Sequence, residues 1–386
     1  MKFFMEFSAA SLNKYGEELC GDKVEFLSEE NGFIAVLSDG LGSGVKANIL
    51  ATLTAKIAMT MLKEGLPIEE VVDTIIHTLP ICSVRKLAYS TFTIIEVSSE
   101  GIAYIVEFDN PSVFFIRDGR IYPIEKTVQE IDGRMIHESH FHLEEKDALI
   151  FVSDGVIHAG AGKVLNLGWS WQEVAHYLEN LNIEQMSAIK VTKALLGVCE
   201  DLYLRHPGDD TTVATIKAIR PKVATLFSGP SSDKEKDHYV VEKLIGTQGK
   251  KIVCGGTAAN IVSKALNIEV TTSFQIIDPR IPPIGHINGI DLVTEGVLTL
   301  QGAVEKLERI KDNTDLDFLY ADDGASMLAR MLFEECTHIH MLVGRAINSA
   351  HQNPDFPQAL SIKLNILYKL KEILIQLGKI VQIEMV

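Results

Sequence analysis

Ile34-Ala-Val-Leu-Ser-Asp-Gly40 and Leu149-Ile-Phe-Val-Ser-Asp-Gly155 are one phrase written twice, an apolar strand running into Ser-Asp-Gly. A third acidic turn, Gly208-Asp-Asp-Thr-Thr212, opens the apolar run Val213-Ala-Thr-Ile216. Each phrase puts a carboxylate at a strand end, and the glycine is expected to let the backbone turn sharply behind it. Such carboxylates meet only if their strands lie side by side or face each other. Brought together unpaired, they repel in a low-dielectric site. The usual remedy is a hard divalent cation with oxygen ligands and retained waters.

Outward from these turns, strands alternate with long helices. Val24–Leu27 and Phe33–Leu37 form a hairpin around Asn31-Gly32, a strong turn signal. After Gly-Leu-Gly-Ser-Gly44, helical spacing runs from Val45 to Lys63, and Pro67 starts a second helix over Ile68–Leu79. Ser90–Val97, Gly101–Phe108 and Ser112–Arg117 read as a strand meander. Ala148–Val152 is a strand, Trp171–Leu181 and Ile189–Leu204 are helices, and Thr211–Ile219 closes the unit. The pattern predicts an α+β fold, an α-β-β-α sandwich of two antiparallel sheets with helices outside. Arg220-Pro221 and the polar stretch Ser228–Asp237 mark a boundary, which gives a domain over 1–220, a linker over 221–237 and a smaller α/β domain over 238–386. In that last domain, helices are expected at Thr257–Leu266, Ala303–Ile310, Gly324–Glu335 and Gln358–Leu377. Strands are expected at Ile252–Cys254, Thr337–Val343 and Ile380–Val386.

At 386 residues the chain is long enough for two cores. Its 46% hydrophobic and 23% charged residues describe a globular protein. A formal charge of −16 argues against nucleic acid as a partner, because phosphate backbones demand clustered Lys and Arg. Glu6 interrupts what would be a signal peptide, and no later segment is expected to approach the length of a transmembrane helix. The five cysteines, Cys20, Cys82, Cys199, Cys254 and Cys336, show no Cys-x-x-Cys spacing, which fits reduced thiols in a cytoplasm.

A single Asp-Gly is only a turn. In one order, Gly21-Asp22 before a strand, two Ser-Asp-Gly strand ends and a final Gly-Asp-Asp-Thr-Thr-Val resemble the metal-dependent serine/threonine phosphatases of the protein phosphatase 2C (PPM) type. Ser38-Asp-Gly-Leu-Gly-Ser-Gly44 resembles the bacterial SpoIIE-like branch, and the resemblance covers about residues 1–220. It implies that Asp39 bridges two Mn²⁺ or Mg²⁺ ions with help from the Gly40 carbonyl, and that Asp154 and Asp209 ligate one ion. It further implies that Asp22 joins the cluster through a water, and that Asp210 stands where many relatives have Asn. The implied chemistry is in-line attack of a water, acidified by two cations, on a phosphoserine or phosphothreonine. Two departures stand out. Leu41 occupies the place of a His that follows the first Asp-Gly in eukaryotic members, and no Arg precedes Arg85 to hold phosphate. The Gly42-Ser-Gly44 amides at a helix N-terminus could help with phosphate, or the glycines could be purely conformational.

Other motifs carry less. His137, His140 and His142 suit a solvated strand face better than a metal. Cys336-Thr-His-Ile-His340 has alternate side chains on one face but no second Cys/His pair for zinc. Cys254-Gly-Gly-Thr257 runs a strand into a helix through two glycines, the pattern of a small anionic ligand site or of a plain tight turn. Gln358–Leu377 could pair across a homodimer or pack within its own domain.

The leading expectation is a phosphoprotein phosphatase acting on a phosphorylated regulatory protein, with a C-terminal sensory domain. By resemblance, control would pass through the two helices after Asp39. The competing class is a non-catalytic phosphatase-fold scaffold whose C-terminal domain binds a nucleotide or metabolite.

Overall fold

The computed structural model describes residues 2–78, 90–131, 133–231, 233–272, 277–312, 316–345 and 358–386. Cys82 and Arg85 lie outside them. The chain divides into two compact units, Met1–Arg220 and Pro221–Val386.

The first unit contains β1 (Phe4–Leu12), β2 (Asp22–Glu29), β3 (Gly32–Gly40), α1 (Gly44–Lys63), α2 (Ile68–Thr78), β4 (Ser90–Ser98), β5 (Ile102–Phe108), β6 (Phe114–Arg117) and β7 (Arg120–Tyr122). It continues with β8 (Thr127–Ile131), β9 (Arg134–His142), β10 (Ala148–Val152), α3 (Asp154–Ile157), α4 (Trp171–Asn180), α5 (Ala188–Leu202) and β11 (Thr211–Ile219). One sheet has the order β2-β3-β4-β5-β9-β8 and the other β1-β11-β10-β6-β7, with antiparallel pairing throughout.

Strand alternation explains the layers. Inward residues such as Phe33, Ala35 and Leu37 of β3 meet Leu149 and Phe151 of β10 and Ala214 and Ile216 of β11 in the core between the sheets. On the outer face of the first sheet, Val36, Ile94 and Val106 pack on Ala55, Ala58 and Val72 of α1 and α2. On the outer face of the second, Ile150, Val152 and Val213 pack on Val174, Leu178, Leu195 and Cys199 of α4 and α5. The unit is the expected α+β fold, an α-β-β-α sandwich of two antiparallel sheets with helices outside.

Two expectations need correcting. α1, at 20 residues, is long and apolar enough by length and composition to cross a membrane. In the fold it lays Ala47, Ala51, Ala55 and Ala58 against the first sheet. The proposed linker 221–237 contains the strand β12 (Val223–Ser228), flanked by parallel neighbours on both sides. Its run Val-Ala-Thr-Leu-Phe-Ser is nearly all buried, as a central parallel strand must be. The polar composition that suggested a linker belongs only to the loop after it.

The second unit continues with α6 (Asp237–Gly246), β13 (Lys250–Cys254), α7 (Gly256–Leu266), β14 (Thr271–Thr272), β15 (Gly285–His286), β16 (Leu292–Thr294) and α8 (Val297–Asp312). α9 (Gly324–Glu334), β17 (His338–Val343), α10 (Gln358–Gln376) and β18 (Ile380–Met385) complete it. The sheet order is β14-β15-β16-β13-β12-β17-β18, parallel from β16 through β18. Phe227 and Val253 pack against Val240, Leu244, Ala258 and Val262 of α6 and α7, while α8 packs on α9 and α10.

Candidate metal and phosphate site

The repeated Ser-Asp-Gly phrase assigns a different task to each of its residues. The serines are latches. Ser38 is fully buried, its hydroxyl 2.5 Å from that of Ser90, which donates to the Asp39 carbonyl at 2.9 Å. Ser153 Oγ accepts the Thr212 amide at 2.8 Å, tying the end of β10 to the start of β11.

The glycines are needed for close approach, and neither Gly40 nor Gly155 has the positive φ of a sharp turn. A Cβ on Gly40 would lie 2.1 Å from the Ala47 carbonyl oxygen of α1, and one on Gly155 would lie 2.1 Å from the Asp210 carbonyl oxygen. Gly21 is similar, with a Cβ falling 2.7 Å from Asp210 Oδ2. Gly40 also donates its N–H to the Gly21 carbonyl at 3.1 Å.

With those contacts made, the aspartates of the two sheets converge. Asp22 on β2 stands directly opposite Asp39 on β3 in register, where like charges oppose pairing. Asp154 begins α3 immediately after β10, and Asp209 and Asp210 immediately precede β11. Burial raises the Asp39 pKa well above the carboxylate range, and the charges of Asp22, Asp154, Asp209 and Asp210 add to it in that order. Asp154 is raised by burial and then by Asp209, while the nearby His158 and Asp39 oppose the shift, in that order. Asp22 is raised chiefly by burial. The hydroxyls of Thr212 and Ser153 lie close enough to favour its charged form but outside bonding geometry, so both Asp22 oxygens are buried with no hydrogen-bond partner.

Asp210 is buried, accepts the Lys14 amide on Oδ1 at 3.0 Å, and leaves Oδ2 buried without a partner. Asp209 is partly exposed, with Lys14 Nζ 3.6 Å from its Oδ1. Three orphaned carboxylate oxygens beside further carboxylates are hard oxygen donors, whose chemistry fits a divalent ion such as Mn²⁺ or Mg²⁺. Among the described residues, no three His, Cys, Asp or Glu side chains already close around one ion position. The donors are gathered but not drawn into a cage.

Sequence reasoning missed two residues here. Lys14 follows β1, and a lone Lys in a loop has no local signature. Only the fold brings it to Asp209 and Asp210. His158 sits one turn after Asp154, close enough for its charge to act on that carboxyl. The α1 N-terminus, considered as an aid to phosphate, instead faces a carboxylate, with Ser43 Oγ donating to Glu17 Oε1 at 3.1 Å.

The remaining motifs have local roles. His140 stacks on Tyr104, and His340 pairs with Glu384 at 3.2 Å. The cysteines among the described residues, Cys20, Cys199, Cys254 and Cys336, are free thiols. Burial pushes each up to about 12, so they are unreactive.

Stage II sporulation protein E (SpoIIE) matches as a family over residues 29–218. No curated protein matches the chain. Similar solved structures include the PP2C phosphatase domain with a fragment of the regulatory domain of SpoIIE from Bacillus subtilis. It is 20% identical, with a TM-score of 0.48, over 56% of this chain and 64% of that one. The RsbU and RsbW domains of Rv1364c from Mycobacterium tuberculosis are 17% identical, with a TM-score of 0.47, over 63% and 68% of the two chains. RsbX in complex with magnesium is 15% identical, with a TM-score of 0.42, over 56% and 96%. This chain therefore spans just under two thirds of the SpoIIE fragment's length. The second unit lies outside the family match. Through residues 29–218, the N-terminal unit of this chain is similar to the SpoIIE family.

Proposed function

We propose that the first unit is a metal-dependent phosphatase that hydrolyses phosphoserine or phosphothreonine on a regulatory protein, and that the second unit is its sensory domain. The observation that carries this reading is the meeting of Asp22, Asp39, Asp154, Asp209 and Asp210 at one end of the sandwich, with three of their oxygens buried and unpartnered. Asp39, Asp154 and Asp209 would hold two Mn²⁺ or Mg²⁺ ions, with Asp22, Asp210 and the Gly40 carbonyl completing the set. When bound, such a pair supplies an acidified water and positive charge for phosphoryl oxygens.

The chain's own residues do the rest. Ser38, Ser90 and Ser153 fix the backbone from which the carboxylates project. Lys14 presents an ammonium beside Asp209, the natural place for a non-bridging phosphate oxygen once metal has neutralised that carboxylate. His158 is the nearby group able to give a proton to the departing Ser or Thr oxygen. The uncompensated acids repel a phosphoprotein until cations arrive, so activity should depend strictly on metal. The free, unreactive thiols suit a cytoplasmic setting.

Mn²⁺-dependent hydrolysis of p-nitrophenyl phosphate tests the chemistry. Wild type should be active and silenced by chelation, and Asp39→Ala should be inactive. Activity that survives either treatment would refute the assignment. A phosphopeptide panel then separates protein from metabolite substrates. The scaffold reading draws on the absence of a preformed three-ligand cage among the described residues. It predicts no hydrolysis of any of these compounds at any metal concentration.

A further inference from the structure

The turn that carries Asp209 and Asp210 is tied to two neighbouring loops of the first unit. Lys14 and Tyr15, which follow β1, run along it. The Lys14 N–H donates to Asp210 Oδ1 at 3.0 Å, and the Tyr15 N–H donates to the Pro207 carbonyl at 2.9 Å. From the other loop, Lys163 Nζ donates to the Tyr203 carbonyl at 3.2 Å and to the His206 carbonyl at 2.7 Å. The two sets of bonds meet at His206. Its ring lies edge-on to that of Tyr15, with centroids 4.4 Å apart, and its Nδ1 is 2.9 Å from the Leu204 carbonyl oxygen.

These bonds fix the backbone and leave large side chains in solvent. Tyr15 is 67% exposed and Leu204 59%. Leu204 is also strained. With Arg205 it stands in the left-handed region, at φ 54° and 61°, where the end of a helix such as α5 ordinarily has Gly or Asn. A leucine that is neither buried nor relaxed in its backbone gives the fold little, and strain of this kind collects at functional sites.

The same rim carries cations in a chain whose formal charge is −16. Arg205 is exposed and pairs with no carboxylate among the described residues. Lys163 bonds only carbonyls and lies over the Tyr203 ring. Lys14 stands 3.6 Å from Asp209 Oδ1, at the candidate metal site. Apolar and basic groups thus adjoin the place where a phosphate would sit.

We infer, resting on the phosphatase reading of the first unit, that this rim holds the segment of a protein substrate around its phosphorylated residue, and that an apolar residue adjoins the phosphoserine or phosphothreonine there. Neighbouring residues of an extended chain lie about 3.8 Å apart, the same step that separates Lys14 from Tyr15. A phosphate beside Lys14 therefore brings the next residue of its chain within reach of the Tyr15 ring. Tyrosine offers a wide, rigid face at little entropic cost, Leu204 adds an apolar side chain, and the cations complement the charge of the phosphorylated segment. A phosphorylated metabolite has no chain to lay across these loops, so the occupant is a protein segment.

Fluorescence anisotropy of labelled peptides, on the full chain in saturating Mn²⁺, tests the proposal. One peptide carries the non-hydrolysable difluoromethylene phosphonate of phosphoserine between leucines, a second carries it between glycines, and a third keeps the leucines around plain serine. Wild type should bind the first about 10-fold or more tightly than either of the others. In Tyr15→Ser and in Leu204→Gly the preference for leucine over glycine should drop to about threefold or less. Leu204→Gly relieves the left-handed backbone, so it should melt no lower than wild type, and its loss of preference would not be a loss of fold. No binding of the first peptide, equal affinity for any other, or an unchanged preference in either variant would overturn the proposal. So would a concentration-dependent dimer, seen by sedimentation equilibrium, that Tyr15→Ser dissolves, because the rim would then belong to a second copy of the chain. Hydrolysis of the matching phosphoserine peptides separates this inference from the reading beneath it. Selective binding without hydrolysis keeps the rim and refutes the phosphatase, whereas hydrolysis indifferent to the flanking residues keeps the phosphatase and refutes the rim.

Discussion

Replacing Asp39 by Asn should stabilise the metal-free protein and destabilise the metal-loaded one. Without metal, Asp39 is pushed up to about 9 from its ordinary 3.8, first by burial and then by its acidic neighbours. Because the folded pKa exceeds the unfolded one, this group's contribution is fully favourable below about pH 3.8. It is lost progressively as pH rises towards 9. At pH 7 the unfolded chain gains by ionising and the folded chain does not. Over that span the penalty approaches about 4 kcal/mol at 1.36 kcal/mol per unit. Part of it is shared with Asp22 and Asp154, so the amide should recover about 2–4 kcal/mol, or roughly 5–10 °C in melting temperature. With Mn²⁺ the order inverts. Wild type gains about 2.7 kcal/mol per ion at a hundredfold excess over Kd, and the Asn variant forfeits most of it. Thermal denaturation of both proteins, in chelator and in saturating Mn²⁺ from pH 5 to 9, gives the comparison. The chelated wild type should lose stability with rising pH more steeply than the variant. A variant less stable than wild type in chelator, together with a wild type unmoved by Mn²⁺, would refute the reasoning.

Gly40→Ala should cost about 1–3 kcal/mol, because its methyl would lie 2.1 Å from the Ala47 carbonyl and push α1 away. Denaturant unfolding measures the loss, and a parallel Mn²⁺ titration should show weakened binding. Lys14→Met should leave Mn²⁺-induced stabilisation intact while raising KM for p-nitrophenyl phosphate about tenfold, the equivalent of one charge-assisted hydrogen bond, with Lys14→Arg restoring it. An unchanged KM would remove Lys14 from substrate binding. Phe151→Ala, in the core between the sheets, should cost about 3–5 kcal/mol and lower Mn²⁺ affinity by loosening the strand that carries Asp154. A loss below 1 kcal/mol by denaturant unfolding would mean that this core does not hold the two sheets in place.

The sandwich could be read from the sequence because its strands alternate and its helices keep their periodicity. Thr211–Ile219 lies where its pattern placed it. The convergence of Asp39 with Asp154 was suggested by identical spelling, but the register that sets Asp22 against Asp39 needed the hairpin. What escaped notice had no local signal. β1 carries Ser-Ala-Ala-Ser in a half-buried strand, too weak a pattern to stand out. β12 was hidden beside a polar loop, and Lys14 reaches Asp209 only through a pairing of β1 with β11 across some 200 residues of chain. The glycines were noticed for the wrong reason, since space rather than φ requires them at Gly40 and Gly155. Apolar length alone could not show that α1, long enough to cross a membrane, lies against a sheet.

Locating Mn²⁺ by anomalous diffraction from crystals grown with the ion is the most direct test of the whole account. The prediction is two adjacent peaks bounded by Asp22, Asp39, Asp154 and the Asp209-Asp210 turn, both absent from Asp39→Ala crystals. An ordered wild-type structure with those carboxylates in place and no peak among them would contradict it.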